Sequence, residues 1–186
     1  MEFVCSFGLR PVLAMRMHRF YGEEAMETLK ENPYVLCSAL VGGTFAEADT
    51  MALELGMEGG SSKRIDAALL FELAHNTGNG HCFIPREKLA AATAELIGVE
   101  PEDVDECIGG LIESGDMKYE EIAGCRACYL PELYEAETNA AENFARMCRR
   151  TFRDKANIAK LLTKLEAQQG ICLLYTSDAA DELDGV

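Results

Sequence analysis

The chain has 186 residues, of which 48% are hydrophobic and 26% charged, with a formal net charge of −15. That length supports one ordinary domain or two small ones, and no apolar run approaches the about 20 residues of a membrane span. The charge argues against a strong free-standing nucleic-acid binder, because phosphate affinity comes largely from Lys and Arg displacing counterions.

The start, Met1-Glu2-Phe3-Val4-Cys5, lacks the basic and then apolar layout of a signal peptide, so the cytoplasm is the expected location. The eight cysteines are scattered rather than spaced as a secreted disulfide framework, and they read as reduced thiols. Cys125-Arg126-Ala127-Cys128 has metal or redox spacing, but a zinc site would need a second pair that the chain does not offer at a comparable spacing. No metal is expected. Cys128 reads as a small packed side chain beside Tyr129 and Leu130, with Cys125 at a turn.

In chain order, Pro11 opens a helix whose apolar residues are Val12, Leu13, Met15, Met17 and Phe20, and Gly22 ends it. A second helix runs from about Glu23 to Lys30 and closes at Asn32-Pro33, since a residue before proline is pushed out of the α region. A short helix around Tyr34 to Leu40 leads into Val41-Gly42-Gly43-Thr44-Phe45. Ala46, Ala48, Met51, Ala52 and Leu55 then mark a helix stopped by Gly56. Two glycine turns, Phe7-Gly8-Leu9-Arg10 and Val41-Gly42-Gly43-Thr44-Phe45, thus each introduce a helix. This is the pattern of a tandem helix-hairpin-helix over residues 1–58. Glycine permits the tight turn and leaves backbone N–H groups at the next helix start, where a phosphate can sit. An ordinary pair of helix connections would give the same spacing.

Gly59-Gly60-Ser61-Ser62 reads as a linker-like break. Beyond it a helix ends near Gly78-Asn79-Gly80, and His81-Cys82-Phe83-Ile84 is an extended run stopped by Pro85. Residues 86–97 form a helix with Leu89, Ala92, Thr93 and Leu96 on one face. An acid-rich helix runs from Pro101 to about Ser114, and strands around Met117-Lys118-Tyr119 and Cys128-Tyr129-Leu130 pair across a turn near Gly124. Three helices and a two-stranded ribbon give a winged-helix-like segment over 63–131. Its would-be recognition helix carries Glu102, Asp103, Asp105, Glu106 and Glu113 without Lys or Arg, the wrong sign for a major groove, which favours a spacer. From Pro131, Leu133, Tyr134, Ala140, Phe144 and Met147 mark one helical face, and a last helix from about Asp154 to Gln169 carries Ile158, Leu161, Leu162 and Leu165. The fold class expected is mainly α, with a small α+β segment and a helical connector over 132–171.

Basic residues cluster at Arg10, Arg16, His18 and Arg19 and again at Arg146, Arg149, Arg150, Arg153, Lys155, Lys160 and Lys164, so any DNA contact is local. The candidate hairpin contacts are Gly8, Leu9, Arg10, Arg16, Gly42, Gly43 and Thr44. The basic stretch with Arg146, Arg149, Arg150 and Arg153 is a secondary candidate, although such a run usually marks a solvated face.

Several segments resemble one family. They are Phe7-Gly8-Leu9-Arg10-Pro11-Val12-Leu13-Ala14, Tyr21-Gly22-Glu23-Glu24-Ala25, Glu31-Asn32-Pro33-Tyr34, Phe45 through Asp49, Gly80-His81-Cys82-Phe83-Ile84-Pro85-Arg86, and Tyr129-Leu130-Pro131-Glu132-Leu133-Tyr134-Glu135-Ala136-Glu137. Their order and spacing are similar to those of RecD-type superfamily-one DNA helicases with an added amino-terminal region, related to the alpha subunit of exodeoxyribonuclease V. The resemblance implies a helix-hairpin-helix region touching DNA backbone without sequence preference, a winged-helix-like segment, and a connector into an ATP-driven motor that moves 5′ to 3′ on single-stranded DNA. This chain departs from the family at the second hairpin, where Gly42-Gly43-Thr44-Phe45 replaces a Gly-Ile-Gly-Phe pattern and Glu47 and Asp49 follow. That makes the first hairpin, with Arg10 and Arg16, the better candidate.

No Gly-x-x-x-x-Gly-Lys-Ser/Thr loop occurs in the sequence. The chain as given is therefore expected not to be an enzyme, and ATP and magnesium are expected only for a motor following in cis. Residues 172–186 resemble translated sequencing-adapter sequence more than a protein element and are expected to lie outside the fold. The implied partner is single-stranded or junction DNA, with no membrane, and the sequence leaves the oligomeric state open. Two other classes fit the same residues: a winged-helix regulator or protein adaptor whose acidic surface meets a basic partner, and a thiol or zinc protein using Cys125 and Cys128, with His81.

Overall fold

A computed structural model of the chain describes residues 7–149 and 158–170. The fold is mainly helical with one small antiparallel sheet, as the sequence led us to expect. The chain divides into two units, Met1–Ala140 and Ala141–Val186.

In the first unit, α1 (Pro11–Tyr21) starts at a proline whose missing N–H would be unpaired there anyway. Its buried face is Leu13, Ala14 and Met17. Met15 and Phe20, apolar residues of the same helix, are exposed. At about 100° per residue, positions 13, 14 and 17 form one stripe and position 15 lies across the helix from it. The second expected helix is split: a 3₁₀ turn over Gly22–Glu24 precedes α2 (Ala25–Glu31).

The expected helix after Asn32 is a 3₁₀ segment, Pro33–Cys37. Asn32, held extended before proline, accepts the Tyr34 N–H through its side chain at 3.1 Å, and the chain leaves the segment at an extended Ser38. The helix α3 (Phe45–Glu54) buries Phe45, Ala48, Met51 and Ala52. Each large, fully buried side chain of this kind contributes roughly 1.5–3 kcal/mol of transfer free energy.

The linker-like stretch at Gly59-Gly60-Ser61-Ser62 is a short connection inside the first unit. One hydrophobic cluster runs without interruption from Leu9 in the first turn to Cys128 in the sheet. The helix α4 (Ser62–Thr77) places Arg64, Ile65, Ala68, Leu69 and Leu73 on its buried face. It is followed by β1 (Phe83–Pro85), α5 (Arg86–Ile97), α6 (Pro101–Ser114), β2 (Lys118–Ile122) and β3 (Cys125–Tyr129).

The sheet has three strands in the order β1-β3-β2. The ribbon pairs Lys118 with Tyr129 and Ile122 with Cys125, and the run ending at Pro85 adds a third strand, with Ile84 opposite Cys128. Pro85 belongs to the strand rather than stopping it, which an edge position permits because no donor is demanded on the outer side. On α5 the buried residues are Leu89, Ala90, Thr93, Ala94 and Ile97, while Leu96 points outward. Gly98 and Gly115 close α5 and α6 in the left-handed conformation that favours glycine. Arg86 joins these two helices, with its Nε on Asp105 Oδ1 at 2.6 Å and its Nη2 on the Asp105 carbonyl at 2.9 Å.

Gly109 and Gly110 lie within α6, and a methyl group at either would meet nothing within 4 Å outside the helix's own backbone. Gly110→Ala should therefore stabilise the protein by about 0.5–1 kcal/mol, through the smaller backbone entropy lost on folding. Chemical denaturation checks this as a higher midpoint with an unchanged slope.

The helix α7 (Pro131–Cys148) begins in the first unit, where Tyr134 packs edge-on against Tyr129 with ring centroids 5.4 Å apart. Leu133 and Tyr134 are half-buried, but Ala140, Phe144 and Met147 are exposed, so only the start of the expected apolar face is covered among the described residues. In the second unit α8 spans Ile158–Gln169; residues 154–157, where this helix was expected to begin, lie outside the described residues. No described helix is long and apolar enough to cross a membrane.

Candidate nucleic-acid interface

The first glycine turn has Gly8 at φ +69°, a conformation a side chain would strain. Leu9 beside it is buried in the core, so it can offer a ligand only its backbone. Arg10 is the extended residue before α1. It sits on the surface, with its side chain 54% exposed.

The second turn is tightly specified. Gly42 has φ +73°, and a methyl group there would lie 2.7 Å from Arg16 Nη1. The N–H groups of Gly42 and Gly43 donate to Ser38 and Leu36 carbonyls at 2.8 and 2.7 Å. Thr44 caps α3: its hydroxyl accepts the Glu47 N–H at 3.3 Å, and Glu47 Oε2 accepts the Thr44 N–H at 2.9 Å. The Thr44 and Glu47 pair is thus a reciprocal cap, formed where this sequence departs from the Gly-Ile-Gly-Phe pattern.

Both arginines proposed for the first hairpin reach across to the second. Arg10 Nε donates to Glu47 Oε1 at 2.7 Å and its Nη2 to Oε2 at 2.9 Å, the planar two-point geometry that guanidinium also uses for phosphate. Arg16 Nη1 donates to the Val41 carbonyl at 2.8 Å. The Arg10 guanidinium, helped by the Thr44 N–H, holds the Glu47 carboxyl down at about 2. The structure therefore brings Arg10, Arg16, Gly42, Gly43 and Thr44 together on one side of the first unit, already hydrogen-bonded to each other's elements. Glu47, named in the sequence only as a neighbouring acid, is the centre of the cluster. Its partner lies 37 residues away, and no local pattern reports such a distance.

A second polar hub was missed altogether. Arg64 on α4 is buried, with Nε and Nη2 on the two Asp49 carboxylate oxygens at 2.7 and 2.9 Å. Its Nη1 donates to the Gly59 and Ile97 carbonyls at 2.9 and 3.0 Å. The Tyr34 hydroxyl donates to Asp49 Oδ1 at 2.7 Å. Arg64 holds the Asp49 carboxyl below its ordinary value, and burial pushes the Tyr34 hydroxyl up. This hub fixes the second hairpin's helix to α4 and to the end of α5. Its one sequence signal was Arg64 lying four residues before Ala68 on the apolar face of α4.

Beside the hub, the rings of Tyr34, Phe45, Phe71 and His75 stack in a ladder with successive centroids 5.9, 5.2 and 5.8 Å apart. Tyr34, Phe45 and Phe71 line one wall of an open cleft of about 900 Å³ that also receives Lys63, Asp66, Asp116 and Leu130.

Arg146 and Arg149 are exposed on or just after α7, with Arg146 bonded to the Asn143 side chain. Arg150 and Arg153 lie outside the described residues. Cys125 and Cys128 are three apart on β3, and alternation along a strand sends their side chains to opposite faces. Cys128 is buried, and that burial pushes its thiol up to about 11. A shared metal on this pair is thereby disfavoured.

Residues 1–83 match the family model described as the HHH domain of the ATP-dependent RecD2 DNA helicase. The match covers both glycine turns, the Arg10–Glu47 contact, the Asp49–Arg64 hub and α4 as far as the first strand. This amino-terminal part of the chain is therefore similar to a RecD-type helix-hairpin-helix region.

Proposed function

We propose that the chain is the DNA-engaging accessory region of a RecD-like, ATP-dependent 5′-to-3′ DNA helicase, whose motor follows in the same polypeptide and alone binds ATP and magnesium. The observation that carries this reading is the convergence of two glycine turns with Arg10 and Arg16, within the stretch that matches the helicase family's hairpin domain. The contact is to backbone phosphate of single-stranded or junction DNA and carries no sequence preference. At −15 overall, the surface repels a polyanion outside this patch, so binding is weak when the region acts alone. A cytoplasmic setting fits this role.

Residues 62–130 follow the order helix, strand, helix, helix, strand, strand, which is that of a winged helix. Glu102, Asp103, Asp105, Glu106 and Glu113 are all exposed on α6. We read this segment as a spacer or protein-facing surface rather than a second DNA reader.

The test is fluorescence anisotropy of a labelled oligo-dT with the full chain across a salt series. Wild type should bind weakly, with affinity falling steeply as salt rises. An Arg10→Ala/Arg16→Ala double variant should bind several-fold more weakly. Unchanged binding in that variant would move the contact to the basic stretch between Arg146 and Lys164, and no binding at any salt would favour the acidic adaptor.

A further inference from the structure

We propose that Glu47 is a built-in competitor for DNA phosphate: by pairing with Arg10 it sets how tightly the hairpin pair holds a nucleic-acid strand. The inference rests on the reading of the hairpins as a DNA contact, and it adds the element that limits that contact.

Arg10 is the exposed cation best placed beside the first glycine turn, yet two of its donors already lie on the two oxygens of Glu47. Glu47 Oε2 also receives the Thr44 N–H and, at 3.0 Å, the Thr44 hydroxyl. The remaining amides of the second turn have internal acceptors, Gly42 on Ser38 and Gly43 on Leu36. A phosphate arriving at this surface therefore has to displace a carboxylate. Glu47 stays ionised at any pH where DNA binding is measured, since its carboxyl titrates at about 2.

The pair is also displaceable. It sits at the surface, with side chains 54% and 23% exposed, and exposed ion pairs are weak because water and salt screen them. Glu47 thus lowers affinity without abolishing it. Releasing Arg10 should let it make one more phosphate contact, and that contact has its own salt signature.

Glu47→Gln removes the charge while keeping the reciprocal cap, which accepts glutamine at this position. In anisotropy titrations of labelled oligo-dT with the full chain, this variant should bind about two- to fivefold more tightly than wild type. The slope of log affinity against log salt should steepen by about 0.7. Both changes should vanish in Glu47→Gln/Arg10→Ala. Glu54→Gln, which removes an exposed acid at the other end of α3, should leave the slope unchanged, and thermal melts confirm that each variant is folded.

If Arg10→Ala weakens binding but Glu47→Gln matches wild type in affinity and slope, the hairpin contact stands and the competition is wrong. A gain that persists without Arg10, or that Glu54→Gln reproduces, is a general charge effect and also overturns it. If neither wild type nor Glu47→Gln shows binding that depends on Arg10 or Arg16, the hairpin contact itself fails.

Discussion

Arg64→Ala should destabilise the protein by roughly 3 kcal/mol, because it leaves the largely covered carboxylate of Asp49 without its counter-charge. The side chains of Arg64 and Asp49 are only 11% and 16% exposed, so water cannot replace the lost partner as it would at the surface. The same substitution removes the donor to the Gly59 and Ile97 carbonyls. Small domains have only about 5–15 kcal/mol in total, so a loss of this size should leave a detectable unfolded fraction at room temperature. Urea denaturation followed by circular dichroism measures it. Tyr34→Phe removes a single hydrogen bond to Asp49 and should cost about 1 kcal/mol. The double variant Asp49→Leu/Arg64→Met should recover much of the loss, because removing both charges leaves none uncompensated. A cost below about 1 kcal/mol for Arg64→Ala would mean that the pair behaves like a surface one and does not fix α3 to α4.

That hub also explains where the sequence was legible and where it was not. Helix starts were readable from Pro11, Pro101 and Pro131, and the end of the first helix from Gly22, because each of these residues imposes its own backbone preference locally. The faces of the helices were less readable. Met15, Phe20 and Leu96 are apolar yet exposed, while Arg64 is polar yet buried. Which side of a helix is covered depends on the neighbours, and composition does not carry that information. The extended run before Pro85 was legible, but its place as a third strand was not, because three residues ending in proline carry no signal of a partner; β1 is defined by its pairing with β3.

The candidate site divides in the same way. The two turns were visible because glycine is needed at Gly8 and Gly42, both at positive φ. Arg10 and Arg16 were visible as basic residues near the first turn. What they touch was not visible, since both reach the second hairpin, 25 to 37 residues on. The sequence suggested two separate phosphate clamps, of which the second was the poorer. The structure instead joins them through Glu47, so the acid that counted against the second hairpin also engages the best arginine of the first.

Gly43→Ala should cost roughly 1–3 kcal/mol by overpacking, and it should do so without any backbone-angle penalty, since Gly43 does not occupy the left-handed region. The added methyl group would sit 2.8 Å from the Leu36 carbonyl oxygen and 3.2 Å from Leu36 Cβ. That same carbonyl accepts the Gly43 N–H at 2.7 Å, so the turn cannot move away without losing the bond that closes it. Leu36 cannot yield easily either, because it is fully buried in the core. Gly42→Ala makes an instructive contrast: its cost comes from positive φ, about 1–2 kcal/mol, and its nearest neighbour is the movable Arg16 guanidinium. Urea midpoints should fall for both variants. Displacement of Thr44 and Glu47, which follow directly on the turn, should make Gly43→Ala the one that also disturbs the Arg10 contact. Stability within about 0.5 kcal/mol of wild type for Gly43→Ala, the range of ordinary surface changes, would show that the second turn tolerates a side chain and is not the rigid support on which α3, and with it Glu47, is positioned.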